Sequence, residues 1–483
     1  MGDLADNSSR AASAAVPLRM RVVWGFGGLA DNFLFNTLTA LGTLVYVNHF
    51  KLSPLLAGLA LALPRIVDAL TDPWVGNWSD NTRTRFGRRR PFMLVGVLAS
   101  AVVLPLLWMP LGAETAGNTW YSNLPFLHLV VMGSVLACTY TLFVIPYTAL
   151  GYELTTDYDE RTKVLAWRMY IGLAGSLAAG WLFRLVAADR FPDLATGAVW
   201  VSVGVAGIVV VSGLIPTFGC KETVPRETAP PLRFWAAWRS TLANRAFLIL
   251  FLAYVTIIIA LFSAQSIAPL LLQHHVFGGS EKALGSFLGW MGTLAVGLSY
   301  VSLWLIAKIA ARTGKRGGML AGLGLVLAGT VAGFWAMDPR WPWLLYVTGA
   351  VSFLGMQGCW LLVSSMVADV CDEDELQTGR RREGMFSAVV GFALKAAQGI
   401  TFGIGGYLAT RAGYDAQSVA ANGLDAETAG RMKVYLVGFQ ALGLALALVA
   451  MAFYPISRQS AAETRRRLTE RMGNGDRPHG NRC

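Results

Sequence analysis

The chain has 483 residues, of which 54% are hydrophobic and only 14% are charged. Its mean hydropathy is +0.49. A soluble globule of this length needs more polar surface than this composition supplies, so the sequence excludes the soluble globular class. It predicts an all-α polytopic membrane protein.

In chain order, the sequence has twelve apolar stretches that are long enough to cross a bilayer, for which an α-helix needs roughly 20 residues. Many of the 52 glycines and 19 prolines fall inside them, which favours packed membrane helices over a barrel. The polar first 21 residues have neither the charged start nor the apolar core of a removable signal peptide, so we expect the first span to direct insertion. The predicted spans are 22–49, 54–77, 91–111, 124–150, 164–188, 196–218, 244–275, 281–307, 318–337, 341–368, 384–410 and 430–455.

The long polar interval 219–243 separates these spans into two groups of six. The predicted organisation is a cytoplasmic N-terminal tail (1–21), a six-helix half (22–218), a cytoplasmic linker (219–243), a second six-helix half (244–455) and a basic cytoplasmic tail (456–483). The loops after the fourth and tenth spans share an order of acidic residues, then basic residues, then a helix that carries a cation. Two pseudo-symmetric halves are typical of secondary transporters, with the substrate site near mid-membrane.

The net charge of +11 is explained by membrane topology. If both termini are cytoplasmic, that side collects 29 of the 40 lysine and arginine residues and the opposite side only seven. The bias predicts this orientation and leaves no basic excess that would indicate nucleic acid as a partner. The five scattered cysteines predict neither a disulfide framework nor a metal site.

The second span carries three charged residues, Arg65, Asp68 and Asp72. Their spacing of three and four residues stacks them on one helical face. A charge at the centre of a membrane helix costs about 2.5–3.5 kcal/mol, so each needs a partner, a wet cavity or a function. One interpretation is an internally neutralised structural cluster; the one we favour is a cation site, because the group retains one negative charge.

The coupling ion of such a site is Na⁺ or H⁺, and the sequence does not separate the two. Sodium prefers hard oxygen ligands, which Asp68 and Asp72 offer, and the Thr71 hydroxyl adds another. Two close carboxylates also raise one pKa toward neutrality, which suits a proton.

Other membrane spans carry Asp31, Asn32, Arg168 and Lys395. An acidic residue of the first or second span is expected to pair with Arg168 or Lys395. Such a pair either closes a gate or contacts substrate, and both interpretations stay open.

The loop after the second span combines Gly76 and Asp80 with the basic run Arg88, Arg89 and Arg90. We interpret it as an intracellular latch in which the arginines reach acidic helix ends; a basic loop that serves only topology is the alternative. The corresponding latch candidates after the tenth span are Asp369, Asp372, Arg380 and Arg381.

An enzyme is not supported. The sequence has no phosphate-cradling glycine-rich loop, no cluster of metal ligands among its five histidines and no nucleophile arrangement. No cofactor is expected beyond the coupling ion.

Three motifs carry a family resemblance: DALTDPWVGNWSDNTRTRFGRRRPF, IPYTALGYELTTDYDERT and ADVCDEDELQTGRRREGMF. With the first and fifth spans they extend over most of the chain, which resembles the glycoside-pentoside-hexuronide:cation symporters of the major facilitator superfamily, the family of melibiose permease. The resemblance implies a cation site at Asp68, Asp72 and Thr141, and it matches Arg168 and Lys395 to the family's intramembrane cations.

The family's sugar site is altered in this sequence. Asn32 and Asp31 stand near its acidic residue in the first span, Val144 stands at its aspartate in the fourth span, and Thr148 at its tryptophan. Tyr140 and Trp360 offer other aromatic surface. The resemblance therefore does not imply a galactoside as substrate.

The function expected from these observations is a cation-coupled symporter that imports a small glycoside-like or other polar or amphipathic solute by alternating access. It would act as a monomer in the lipid bilayer of a bacterial inner membrane. A proton-driven exporter of an amphipathic compound and a non-transporting protein that handles a lipid or pigment are the alternatives.

Overall fold

The computed structural model describes residues 16–109, 123–155, 158–220, 241–379 and 383–473. In these ranges the chain is nearly all helical. Helices of the first half are α1 (Leu18–Gly25), α2 (Gly27–Asn48), α3 (Pro54–Asn81), α4 (Arg90–Leu106), α5 (Leu124–Glu153), α6 (Tyr158–Val186) and α7 (Leu194–Gly219). They continue with α8 (Arg245–Phe262), α9 (Ala264–Leu271), a π-helical turn (Leu272–Val276), α10 (Glu281–Ala336), α11 (Leu344–Thr378), α12 (Glu383–Arg411), α13 (Ala416–Asn422), α14 (Ala426–Ala452) and α15 (Arg458–Gly473).

Nine helices of the described residues are long and apolar enough to cross a membrane. One of them, α10, is interrupted at Gly314, whose φ of +83° is outside the helical region and suits glycine. Counting α2, the shorter α4 and the two arms of α10, the described helices provide twelve membrane-length segments. The predicted polytopic all-α fold is confirmed.

The chain separates into two compact units. Of the described residues, the first contains 16–109, 123–155, 158–220, 265–296 and 402–429, and the second contains 241–264, 297–379, 383–401 and 430–473. In the first unit α3 packs against α5, α2 packs against α6 and α7, and α4 packs against α5 and α7. In the second, a buried apolar cluster joins residues of α8, α10, α11, α12 and α14.

Helix α3 has one face toward lipid and one face toward the protein interior. The helix begins after the N-cap Ser53, whose side chain accepts a hydrogen bond from the Leu56 amide, and it has a proline at its first position. Ile66, Leu70 and Trp74 are exposed along one face, where lipid solvates apolar side chains. The opposite face carries the charged residues inward, as the spacing predicts.

Close backbone approach fixes the helices of the first unit. A Cβ at Gly96 of α4 would lie 2.5 Å from the backbone nitrogen of Phe143 in α5. Since real Cβ atoms do not come this close, the two helices pack at this distance only because residue 96 is glycine.

Candidate functional site

The acidic residues of α3 meet two threonine hydroxyls. Thr141 of α5 donates a hydrogen bond of 2.7 Å to Oδ1 of Asp68, and its hydroxyl lies 3.3 Å from Oδ1 of Asp72. The Thr71 hydroxyl lies 3.2 Å from the Asp68 carbonyl oxygen and 3.4 Å from the Thr141 hydroxyl. Asp68 and Thr141 are buried. Four residues therefore bring oxygen atoms that can bind a cation together where α3 packs against α5.

Arg65 is directed toward α2. Its guanidinium donates to the Thr39 hydroxyl at 3.2 Å and lies 4.3 Å from the centre of the Phe35 ring. The charge of Asp68 acts on it as well. Arg65 is therefore an electrostatic neighbour of the carboxylates that also ties α3 to α2.

A small cavity of about 20 Å³ lies beside Asp68 and Arg65, with Pro64 and Tyr140 among its other lining residues. A space of this size holds one water-sized guest, since a single water needs roughly 10–15 Å³. The cavity therefore has room for one small ion or water next to a buried carboxylate.

Asp31 of α2 joins a second charged network. Arg168 of α6 donates to its Oδ2 at 2.8 Å, and the Tyr140 hydroxyl donates to its Oδ1 at 2.7 Å. The Arg168 guanidinium also lies 5.2 Å from the Tyr147 ring centre. Of the expected pairings, the structure shows the one between Asp31 and Arg168. The hydrogen bond from Tyr140 links this pair to α5.

Asn32 makes a separate contact with α6. The Ser176 hydroxyl donates to its Oδ1 at 2.8 Å, while its amide donates to the Gly28 carbonyl at 2.9 Å. Val144 is buried and Thr148 is half-buried on α5. These residues belong to the same unit as Asp31.

Trp360 and Lys395 belong to the second unit. The Trp360 indole packs edge-on against Tyr254 with ring centres 5.6 Å apart, at the border of the apolar cluster of that unit. Its described contacts are those of core packing.

The residues predicted to form an intracellular latch lie in an arginine network. Arg89 donates to Oδ1 of Asp80 at 2.7 Å from its Nη2, and its Nη1 lies 2.9 Å from Oε1 of Glu153 at the end of α5. Arg88 pairs with the same glutamate at 3.1 Å. Arg90 instead donates to the Thr217 and Phe218 carbonyls at the end of α7, at 2.5 and 3.0 Å. The basic run thus joins the ends of α3, α5 and α7.

Gly76, one turn before Asp80, has room at its Cβ position, where the nearest group would be the Ile145 side chain at 3.6 Å. A glycine at this position is therefore not required by close packing of α3 against α5.

The second unit contains a related contact. Lys315, which follows the Gly314 break, lies 2.6 Å from Oδ2 of the buried Asp369 in α11. The helix continues past Asp372 and ends at Thr378, with Gly379 in the left-handed conformation. Arg380 and Arg381 lie outside the described residues.

Residues 23–458 match the family model described as MFS/sugar transport protein. The chain belongs to this family. An uncharacterised symporter of Synechocystis is 29% identical, covering 87% of this chain and 90% of that protein. The glucuronide carrier protein homologue of Escherichia coli is 26% identical, covering 92% and 94%.

Solved structures agree on the fold. A bacterial homologue of the human lysosomal transporter Spinster, in an inward-facing conformation, aligns with a TM-score of 0.66 at 15% identity, covering 95% of this chain and 99% of that one. The resemblance found in the sequence motifs is confirmed, and this MFS protein is a membrane transporter rather than an enzyme.

Some partners in this MFS transporter were not singled out from sequence. Glu153 and Lys315 are the counter-charges of the two latch contacts. Glu153 stands in the second motif that carries the resemblance, and Lys315 stands in the basic segment after the eighth predicted span, so these two positions were the available signals.

Proposed function

We propose that this transporter is a cation-coupled symporter that imports a small polar solute. The observation that supports the proposal best is the convergence of oxygens from Asp68, Asp72, Thr71 and Thr141. Of these residues, Asp68 also lines the cavity that has room for one small guest. A pair of carboxylates of which one is buried and the other half-buried binds a cation because the cation neutralises charge that lipid and protein solvate poorly.

Coupling follows if the loaded site stabilises the arrangement that binds solute. A cation between α3 and α5 would draw these helices together, since its ligands come from both. Arg65 would transmit the change to α2 through Thr39. The ion gradient then drives the solute inward, with the two halves exposing the site to each side in turn.

The proposed setting is the bacterial inner membrane, with both termini in the cytoplasm and the monomer as the functional form. The coupling ion is Na⁺ or H⁺. The oxygen set of two carboxylates and two hydroxyls suits Na⁺, and the same carboxylates suit a proton.

The test is thermal stabilisation of the purified protein by Na⁺, Li⁺ and K⁺ at constant ionic strength, and by H⁺ in a pH series. Wild type is expected to unfold at a higher temperature with its coupling ion, since a ligand that binds the native state stabilises it. Asp68→Asn, Asp72→Asn and Thr141→Val should each weaken the apparent ion affinity by about tenfold or more.

Thr141→Ser keeps the hydroxyl and should retain most of the response. Asp189→Asn is the control, because Asp189 is an exposed carboxylate that follows the end of α6, pairs with Lys282 and is not part of the cation site. An ion response that survives both aspartate variants would refute the cation site. Counterflow in vesicles under gradients of each polarity tests import against export.

A further inference from the structure

A cavity of about 330 Å³ in the second unit lies where α10 is broken, beside the start of α15. Its walls come from α10, α11, the segment that joins α14 to α15, and the first turns of α15. Three of its lining residues are charged: Lys315, Asp369 and Arg458. We call this space the α15 cavity. The contact between Lys315 and Asp369 described above accounts for only part of its lining.

The cavity exists because α15 begins against the break in α10. A Cβ at Gly314 would lie 3.5 Å from the Cβ of Arg458. The Arg458 guanidinium donates from Nη1 to the Ala311 carbonyl at 2.8 Å, one turn before the break. Arg316, just after the break, donates to the Ala452 carbonyl at the end of α14. Small side chains keep the space between these contacts open, among them Ala310, Ala311, Ala461 and Ala462.

The lining of the α15 cavity carries an excess of positive charge. Asp369 is buried and lies 2.6 Å from the Lys315 ammonium, so these two charges offset each other. Arg458 has no acidic partner among the residues that the structure describes. The charge of Glu373 acts on the lining residue Tyr454, but Glu373 does not line the cavity. An anionic group in the cavity therefore gains a counter-charge, which repays part of its lost hydration.

Both cations have further hydrogen-bond donors. An ammonium has three N–H donors and a guanidinium has five. Within the described residues, Lys315 uses two of its donors, toward Asp369 and toward the Ser365 carbonyl at 3.0 Å. Arg458 uses one, toward Ala311. A phosphate group matches the remaining donors, because it offers several acceptor oxygens and fits the fork of a guanidinium.

The surroundings place the cavity at the edge of the membrane. On α10, the Lys308 ammonium lies 4.7 Å from the centre of the exposed Trp304 ring. At the end of α14, Phe453 is exposed immediately before Tyr454. Aromatic and basic residues of this kind concentrate at the level of the lipid headgroups. Basic pockets between helices at this level bind the headgroups of anionic lipids.

We propose that the α15 cavity binds the phosphate group of an anionic phospholipid, with Arg458 and Lys315 as its hydrogen-bond donors. The volume lies within the roughly 300–1,000 Å³ found for ligand pockets, so it has room for a headgroup. A bound headgroup would join α15 to the break in α10 and stabilise the folded protein. This site is separate from the proposed cation site and needs neither the coupling ion nor the solute.

The experiment uses purified, delipidated full-length protein. Phosphatidylglycerol, whose headgroup is anionic, and phosphatidylcholine with the same acyl chains, whose headgroup is zwitterionic, are added in detergent micelles. The melting temperature is recorded against lipid concentration. Phosphatidylglycerol is expected to stabilise the protein at a concentration about tenfold or more below that needed for phosphatidylcholine. Glycerol 3-phosphate supplies the same chemistry from a soluble source and is expected to give no shift.

Arg458→Gln removes the guanidinium from the cavity and should weaken the apparent affinity for phosphatidylglycerol by about tenfold. Arg467→Gln is the matched control, since it removes the same charge from the same helix. Arg467 is exposed, pairs with Glu463 and does not line the cavity, so this variant should keep wild-type affinity.

Two further variants test the walls. Ala462→Leu narrows the cavity without changing its charge and should also weaken phosphatidylglycerol binding, and Ala462 is exposed, so the substitution leaves the core intact. Lys315 is tested together with its partner, as Lys315→Gln/Asp369→Asn, because this leaves no buried charge unpaired. Loss of one donor should weaken binding here too.

The melting temperature without lipid is recorded for every variant, so that a loss of folding is distinguished from a loss of binding. Selective weakening by Arg458→Gln and Ala462→Leu supports the site. Equal effects of Arg458→Gln and Arg467→Gln would show a response to the overall charge of α15 and would overturn it. Equal responses to both lipids, or a response to neither, would do the same. A shift with glycerol 3-phosphate at the concentration that suffices for phosphatidylglycerol would overturn the lipid as the source of the phosphate.

Discussion

At the scale of single residues, the interior of the first unit separates its charges into two groups. Asp31 is satisfied by Arg168 and Tyr140, while Asp68 and Asp72 share the hydroxyl of Thr141. A hydroxyl has one proton and donates to one carboxylate at a time. The first group therefore resembles a structural ion pair, and the second is the group for which we propose a cation.

The Asp31–Arg168 pair yields a stability prediction. Asp31→Asn removes one charge of a mostly buried pair and should lower the free energy of unfolding by about 2–3 kcal/mol, somewhat below the 3–5 kcal/mol of fully buried pairs. The double variant Asp31→Asn/Arg168→Gln removes both charges and should recover part of this loss. Thermal unfolding in detergent measures both; a double variant less stable than the single one would contradict the pairing.

At the scale of elements, glycine determines how closely α4 approaches α5. Gly96→Ala places a methyl group against the Phe143 backbone, so we expect a loss of roughly 1–3 kcal/mol, the usual cost of overpacking. The matched control is Gly204→Ala in α7, where a Cβ meets nothing within 4 Å. There the better helix propensity of alanine should leave stability equal or slightly higher. Equal melting temperatures of the two variants would show that the packing adapts.

Glu160, in the first turn of α6, anchors α1 by hydrogen bonds. Its carboxylate accepts hydrogen bonds from Lys163 and Arg21 at 2.8 Å each and from the Val16 amide at 3.0 Å. The hydrogen bond from Lys163, followed by the Val16 amide and the charge of Arg21, lowers the pKa of Glu160 below its ordinary value of 4.5.

This shift predicts a pH dependence. Because the folded pKa is depressed, the anchoring is present above pH 4.5 and is lost as the pH falls through the folded pKa. Glu160→Gln should therefore melt at a lower temperature than wild type at pH 7, with a difference that shrinks below pH 4.5. A difference that grows toward acid would have the wrong sign. Melting curves of both proteins across pH decide it.

At the scale of the whole molecule, the distribution of basic residues predicts orientation. Seven lysines and arginines stand in the tail after 455 and three before the first span. Such residues stay on the cytoplasmic side because translocating them is unfavourable. Alkaline phosphatase fused at the C-terminus should be inactive, and the same enzyme inserted after Arg190, between the fifth and sixth spans, should be active. Activity in the opposite pattern would reverse the proposed topology.

How much was predictable from sequence differs between the elements and the site. The twelve spans follow from hydropathy, and the shared face of Arg65, Asp68 and Asp72 follows from helix periodicity. Thr141 follows only from the family motif, because no local pattern links it to residues some 70 positions earlier. The position of Arg65 beside the carboxylates follows from their spacing, but its contacts with Thr39 and Phe35 depend on the packing of α3 on α2.

The membrane class, the helical spans, the inward face of α3 and the family thus follow from the order of the amino acids, because hydropathy, helix periodicity and motif order are properties of neighbouring residues. The pairing of Arg168 with Asp31 and the contacts of Glu153 with Arg88 and Arg89 could be seen only in the folded protein. These contacts join residues between 64 and 137 positions apart, and such distances in sequence are closed only by the way the helices pack.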